Sequence, residues 1–537
     1  MPEMSPPEMI PPETIPRETI PHRVFEACER HGSKTAIVDV EPDRRVSFTE
    51  LAQAARGAAK AFIAAGLQPR QAVGLWAPNS SVWAVAALGA LAAGGVLVPL
   101  NTRLRGPEVA DIVRRAGVRL LITPGEFLSQ DYPAMLDGHG LSDLTRLVTL
   151  DGRSRARDLP RVEWPDFVAA GAATPDEALA ARLAGLGPDT VADLMFTSGT
   201  TGLPKGAIFT HRKTLLAARL FIEVNGLSAT DRYLPFGPFS HTASYKGGWL
   251  ASLLAGATLF ARNTADGRAT LRLVSGEGVT FMAAPPTLLQ TLLADPARAE
   301  FDLSSLRCVS TGGTMVPLDL VRRVREELGV GHVATGYGLT ECEGTATFTR
   351  PGDPPEIVAR TAGRAAPGIE IRCVRADGSD AAVDEEGEVF IRTEKTMVGY
   401  LDDPEATAAV LDAEGWLHTG DVGRLDANGN LTITDRLKDM YIVGGFNCYP
   451  AEVERRLSGL PGVLHCAVVG VPDDRLGEVG RAFIVAIPGA TLTEAEVLAW
   501  CRANFANYKV PRAVRFIEAL PVNASGKVMK HLLRADR

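Results

Sequence analysis

Several short stretches hold the residue types that phosphate chemistry needs. Thr197-Ser198-Gly199-Thr200-Thr201-Gly202-Leu203-Pro204-Lys205-Gly206 gathers four hydroxyls, three glycines and one lysine in ten positions. Glycines let the backbone turn sharply and approach a ligand. A nest of N–H groups with one cation suits phosphate oxygens. The stretch is not a Walker loop, which needs Gly-Lys-Ser/Thr directly before a helix; here Pro204 precedes Lys205 and Gly206 follows it. Thr335-Gly336-Tyr337-Gly338-Leu339-Thr340-Glu341 offers an aromatic face between glycines, a hydroxyl for a phosphate and a carboxylate for Mg²⁺. Magnesium favours one or two carboxylates plus phosphate oxygens. Thr311-Gly312-Gly313-Thr314 is backbone that can lie against a flat ring.

Other candidates carry an ordinary reading beside the functional one. Asp421, in Gly415-Trp416-Leu417-His418-Thr419-Gly420-Asp421, is either a turn former or a carboxylate whose two oxygens accept a pair of ribose hydroxyls. His241 lies in Pro238-Phe239-Ser240-His241-Thr242-Ala243-Ser244-Tyr245-Lys246-Gly247-Gly248. That aromatic, glycine-containing loop precedes an apolar helix expected over 249–254. Its glycine pair and small residues leave space for an acyl group, as apolar pockets with few polar groups do. Arg436 and Lys438, in Asp435-Arg436-Leu437-Lys438-Asp439-Met440, are charges of the kind that usually face water. Lys527 ends Pro521-Val522-Asn523-Ala524-Ser525-Gly526-Lys527, a loop on which a lysine is ordinarily a surface residue.

These residues must be held by a fold, and 537 residues are too many for one core. The apolar share of 46% and charged share of 22% are those of a globular protein. The net charge of −8 argues against nucleic acid as the main partner. Seven scattered cysteines without CxxC spacing point to the cytoplasm, with no disulfide framework or structural zinc. No secretion signal opens the chain. The apolar run 84–100 contains glycines and a proline, and reads as a buried helix and a strand rather than a membrane span. No integral membrane segment is expected. Residues 1–22 form a proline-rich leader with a repeated five-residue unit, extended or disordered by its proline density. From Val24, helical segments (51–65) alternate with apolar strands (72–76, 95–99), the pattern of a mostly parallel sheet covered by helices. Strands are expected at 279–284 and 306–311, and connecting surface over 152–190. The tail reads as α+β: strands at 463–471 and 481–487, a helix opened by Pro450, and a capping box, Thr493-Glu494-Ala495-Glu496, opening a helix to about Asn507.

In this order the motifs resemble the adenylate-forming superfamily of acyl-CoA synthetases, peptide-synthetase adenylation domains and beetle luciferases. The likeness runs from about Val24 to Lys530. It implies an α/β fold with a large N-terminal acid- and ATP-binding domain (23–437) and a small mobile α+β lid (438–537). It implies ATP and Mg²⁺ as cofactors and coenzyme A as co-substrate. A carboxylate attacks the α-phosphorus of ATP, giving an acyl-adenylate and pyrophosphate, and a thiol then displaces AMP. By resemblance the catalytic residues are Lys527, Thr200, Glu341 and His241, and Glu341 holds the metal. ATP falls to Thr197, Ser198, Gly199, Thr200, Thr201, Gly202, Lys205, Gly312, Gly313, Thr314, Gly336, Tyr337, Gly338, Thr340, Asp421, Arg436 and Lys527. Lys438 is the hinge. Phe239, His241, Ser244, Tyr245, Gly247, Gly312 and Leu339 line the acyl pocket, and Gly444, Gly445 and Phe446 the coenzyme A tunnel.

Val398-Gly399-Tyr400-Leu401-Asp402-Asp403, Asp439-Met440-Tyr441-Ile442-Val443-Gly444-Gly445-Phe446-Asn447 and Arg475-Leu476-Gly477-Glu478-Val479-Gly480-Arg481 resemble actinobacterial ligases acting on the propanoate side chain of sterol-ring breakdown products. That group looks more like Phe-His-Asn-Phe-Gly-Tyr-Lys where this chain has Ser240-His241-Thr242-Ala243-Ser244-Tyr245-Lys246. The resemblance thus implies a hydrophobic acid: sterol-derived, fatty or aryl. An amide synthetase passing the acyl group to an amine stays open, as do a silent nucleotide-binding protein and a homodimer. Ile442 stands where luciferases carry a lysine, against an oxygenase.

Overall fold

The structure, a computed structural model, describes residues 18–535 except 198–203, 265, 313–315, 438, 444–445, 506 and 524–525. By contacts the chain divides into two compact units that interleave along the sequence: 1–196, 206–284 and 295–307 form the first, and 197–205, 285–294 and 308–537 the second.

The first unit is built on mostly parallel sheets, with Arg44–Ser47 an antiparallel edge on one of them. One orders Lys205–Thr210, Val191–Thr197, Val96–Pro99, Ala72–Leu75, Leu120–Thr123, Arg146–Thr149 and Arg161–Glu163. The other places Arg232–Pro235 between Phe281–Ala283 and Thr258–Ala261, and continues through Thr35–Asp39 to Arg44–Ser47. Parallel strands covered on both faces read as continuous apolar runs, and Ala72–Leu75 and Val96–Pro99 are buried at every position. The apolar run 84–100 is indeed a helix, Ser81–Ala92, followed by that strand. Eleven of the helix's twelve residues are buried, as befits a helix apolar all round. It packs closely on Phe48–Ala64: a Cβ on Gly89 would lie 2.7 Å from that of Ala58.

Two expectations fail at the edges. The proline-rich leader does not extend to residue 22, because the helix Ile20–His31 begins inside it, with Thr19 and Ile20 fully buried. Pro21 sits in the first turn, where a missing N–H costs nothing. Residues 152–190 are not plain connecting surface: they include the strand Arg161–Glu163 and the helices Trp164–Ala170 and Asp176–Ala184. Alanine, the best helix former, outweighs the scattered glycines and prolines there.

The second unit is mostly antiparallel. Gly336–Leu339, Gly344–Phe348 and Arg364–Ala365 form one small sheet, and Ile369–Val374, Gly387–Thr393, Leu417–Leu425 and Leu431–Arg436 another. The C-terminal part joins Val463–Asp473 to Gly477–Ala486, with Ala513–Phe516 parallel to the latter. Its core gathers Val453, Leu457, Val468, Ile484, Val497 and Val514. The expected capping box forms: Thr493 caps Glu494–Asn504, and Glu496 returns a side-chain bond to the cap.

All seven cysteines are free thiols, and all but Cys466 are buried. Burial pushes Cys28 up to about 12 and Cys373, Cys448, Cys466 and Cys501 up to about 11. Among the described residues no helix is long and apolar enough to cross a membrane.

Candidate functional site

All of the expected nucleotide residues that the structure describes belong to the second unit, and several meet there. Asp421 and Arg436 are register partners on the antiparallel strands Leu417–Leu425 and Leu431–Arg436. Cross-strand pairing puts their side chains on one face, and the Arg436 Nε lies 2.7 Å from the Asp421 Oδ1. The other oxygen, Oδ2, accepts from the Tyr337 hydroxyl at 2.6 Å. Burial and the neighbouring Asp421 charge raise the Tyr337 phenol well above its ordinary value, so it stays a donor. Gly420, at φ +67°, supplies the left-handed kink before Asp421 that glycine adopts without strain. The strand pairing shifts register close by, between Val422 and Gly423, a device that re-aims side chains.

Tyr337 stands on the hairpin of Gly336–Leu339 with Gly344–Phe348. The hairpin also explains the flanking glycines. A Cβ on Gly336 would lie 2.4 Å from the Thr347 carbonyl oxygen, and one on Gly338 would lie 1.8 Å from that of Gly344. Backbone closeness demands these glycines before any ligand does.

Thr340 and Glu341 open the short turn after the hairpin's first strand, Thr340–Cys342. The Glu341 Oε1 accepts from the Tyr400 hydroxyl at 2.8 Å. The Tyr400 ring in turn carries the Lys205 ammonium 5.0 Å from its centroid. Sequence reasoning missed Tyr400 as a site residue, because only tertiary structure brings it to Glu341. Lys527 keeps exposed surface. Its pKa is lowered by burial first and by the Arg436 charge second, while Asp421 and Glu341 act the other way. Lys527 thus feels the Asp421–Arg436 pair and the Glu341 carboxylate at once.

The donor set fits magnesium. Glu341 gives one carboxylate with the Thr340 hydroxyl beside it in sequence, and a cation needing one or two carboxylates completes its shell from phosphates and water. Thr197 donates from its hydroxyl to the Lys205 carbonyl at 3.4 Å, closing the base of the expected phosphate loop. Ser198, Gly199, Thr200, Thr201, Gly202, Gly313, Thr314, Lys438, Gly444 and Gly445 lie outside the described residues, as does the side chain of Phe446.

The expected acyl residues Phe239, His241, Ser244, Tyr245 and Gly247 belong to the first unit, Gly312 and Leu339 to the second. His241 is exposed, and its Nδ1 accepts from the Ala243 N–H at 3.3 Å. Phe239 and Tyr245 are fully buried beside Trp83. The room expected at Gly247 is taken: a Cβ there would lie 2.7 Å from the Phe221 ring. The apolar segment expected over 249–254 starts earlier and is wider, a π-helix over Tyr245–Leu250 followed by Ala251–Ala255. Such π turns concentrate at functional sites.

Beneath this turn lies a buried ion pair. The Lys246 Nζ donates to the Asp193 Oδ1 and Oδ2 at 2.7 and 2.8 Å and to the Thr214 hydroxyl at 3.1 Å. It also sits 3.8 Å from the Tyr245 ring centroid. Lys246 is 2% exposed and Asp193 0%.

Residues 24–401 match the family model described as AMP-binding enzyme, and residues 452–527 match the AMP-binding enzyme C-terminal domain. The chain is 48% identical to a 3-[(3aS,4S,7aS)-7a-methyl-1,5-dioxo-octahydro-1H-inden-4-yl]propanoyl:CoA ligase of Mycobacterium tuberculosis, covering 92% of this chain and 94% of the relative. It is 44% identical to the ligase of the same name in Rhodococcus jostii, over 95% and 97% of the two chains. Among solved structures, o-succinylbenzoate CoA synthetase of Bacillus subtilis in complex with its acyl-adenylate intermediate superposes with a TM-score of 0.83. That match has 26% identity over 97% of this chain and 99% of the other.

Proposed function

The chain belongs to the AMP-binding enzyme family, and from that premise we propose that it is an AMP-forming ligase joining an apolar, steroid-fragment-like propanoate to coenzyme A. The observation that carries the reading is the bonded set Tyr337–Asp421–Arg436 within one unit, with Glu341 on the turn that follows the Tyr337 strand. The extent and identity of the match to the two named propanoyl:CoA ligases support the acid. The free, buried thiols suit a reducing cytoplasm.

ATP binds with its ribose hydroxyls on Asp421 and its phosphates toward Lys205 and the loop at 197–205. Tyr337 offers its ring to the adenine while its hydroxyl holds Asp421. By the family likeness, the acid falls to His241 and the Phe239–Tyr245 segment. A carboxylate oxygen attacks the α-phosphorus, the bond to pyrophosphate breaks, and an acyl-adenylate forms. Lys527 screens the approach of two anions, and charge placed in advance where charge develops is usually the largest catalytic term. Glu341 would hold magnesium, which when bound would neutralise charge on the pyrophosphate. A small domain beginning at Lys438 then turns, and Gly444, Gly445 and Phe446 admit the thiol. Its sulfur attacks the acyl carbon, AMP leaves, and the thiol proton passes to solvent.

The test is AMP release with coenzyme A over a panel of fatty, aryl and bicyclic keto-propanoic acids, with product mass as readout. A coenzyme A thioester formed best from the bicyclic acids is expected. Acid-dependent AMP release that yields amides with added amines but no thioester would overturn the acceptor. The absence of acid-dependent AMP release across the panel would overturn the enzyme.

A further inference from the structure

We propose that Tyr400 is a positioning residue of this ATP site, a neutral spacer that keeps the Glu341 carboxylate and the Lys205 ammonium apart while fixing both; the proposal rests on the ligase reading above. The two charges have opposite sign and serve one ligand. Left to themselves they would pair, cancelling the cation meant for phosphate and the anion meant for metal. One phenol separates them with different parts of the ring. Its hydroxyl donates to the Glu341 Oε1 at 2.8 Å, and its face takes the Lys205 ammonium at 5.0 Å. That bond occupies Oε1, and among the described residues no hydrogen bond engages Oε2.

Tyr400 is itself held. It is 9% exposed, its N–H donates to the Thr407 hydroxyl at 2.9 Å, and Thr407 belongs to the helix Pro404–Ala408 capped by Asp403. The same segment grips the turn that carries Glu341 at further points. The Met397 N–H donates to the Glu341 carbonyl at 2.8 Å. The buried Lys395 ammonium donates to the carbonyls of Cys342 and Thr345. Backbone and side chain of Glu341 are therefore both tied to residues 395–400, so the site is set before ATP arrives. Preset geometry of this kind is what a reacting site gains from supporting residues.

The experiment is calorimetric ATP binding to the full chain, without magnesium and across a MgCl₂ titration. Y400F keeps the ring and loses the hydroxyl. We expect its magnesium-free ATP affinity to stay within about twofold of wild type. Its MgCl₂ midpoint should rise by about tenfold, the effect of losing one hydrogen bond to a charged group. Y400L loses the spacer too, and its magnesium-free ATP affinity should also fall by about tenfold, as Lys205 is drawn to Glu341. If Y400L does not fold, Y400F decides alone. A Y400F midpoint equal to wild type overturns the spacer role, as does an equal loss of affinity with and without magnesium. A wild-type chain that binds no ATP in either condition sinks the ligase reading, and the spacer with it.

Discussion

In the reaction proposed above, Lys527 is the residue that serves the first half-reaction. It stands where Arg436, Asp421 and Glu341 all act on its charge. Lys527→Ala is expected to abolish ATP–pyrophosphate exchange yet still make thioester from a supplied acyl-adenylate. Exchange at the wild-type rate would remove Lys527 from catalysis. At this scale the sequence was legible where a motif names its own chemistry, as at Tyr337; Asp421, by pattern alone equally a turn former, was assigned by the family likeness, and the two side chains meet. It was silent where the partner comes from far along the chain. Nothing local in Gly399-Tyr400 marks a tyrosine that touches Glu341 and Lys205. Some glycines pointed to a ligand for the wrong reason: Gly338 answers to Gly344 across a hairpin, and Gly247 to Phe221.

Among the elements, the π turn Tyr245–Leu250 rests on the Lys246–Asp193 pair. Breaking a buried pair leaves an uncompensated charge and costs about 3–5 kcal/mol. Lys246→Met should therefore lower the denaturation midpoint of the first unit sharply. The double variant with Asp193→Leu should recover most of the loss, because an apolar pair leaves no stranded charge. If the single and double variants are equally unstable, the pair is not what holds the turn. A gentler case is Thr493→Ala, which removes the cap of Glu494–Asn504 and should cost about 1 kcal/mol, read as a lower unfolding midpoint of the C-terminal part. That cap was legible because Ser/Thr-x-x-Glu is a local device. The π turn was not, since the pattern of apolar residues is the same for a slightly wider helix. The helices within 152–190 were obscured by prolines and glycines at their ends: Pro165 sits in the first turn of one, Pro175 precedes the other, and Gly171 and Gly185 follow them.

On the scale of the molecule, buried ionisable groups give stability a pH profile. His211 is fully buried, its Nδ1 accepts from the Ile20 N–H at 3.3 Å, and burial takes its pKa down to about 3. The unfolded chain takes up a proton near pH 6.5 and the native one does not. The stabilisation is thus present above about pH 6.5 and lost as pH falls toward 3, about 2 kcal/mol by pH 5. Asp435 has the opposite sign. Burial lifts it to about 6, so its contribution is full below about pH 4 and is lost as pH rises through 6. His211→Gln should flatten the acid side of a thermal-midpoint profile between pH 6.5 and 5; an unchanged slope would assign the acid loss to other groups. The order of motifs made the α/β architecture legible. The interleaving of the two units was hidden, because contacts and not chain order decide which unit takes 197–205 and 285–294.

The sequestered cysteines give the protein a set of internal clocks. A thiol lifted to about 11 or 12 is almost wholly protonated at neutral pH and meets no reagent while its surroundings stay closed. Alkylation at each sulfur therefore times the opening of its own neighbourhood. Cys28 reports the N-terminal helix, Cys373 the antiparallel sheet, and Cys448 and Cys501 the C-terminal core. Mass-resolved labelling of the unmodified chain would show whether that last core breathes before the rest, and whether saturating ATP slows it.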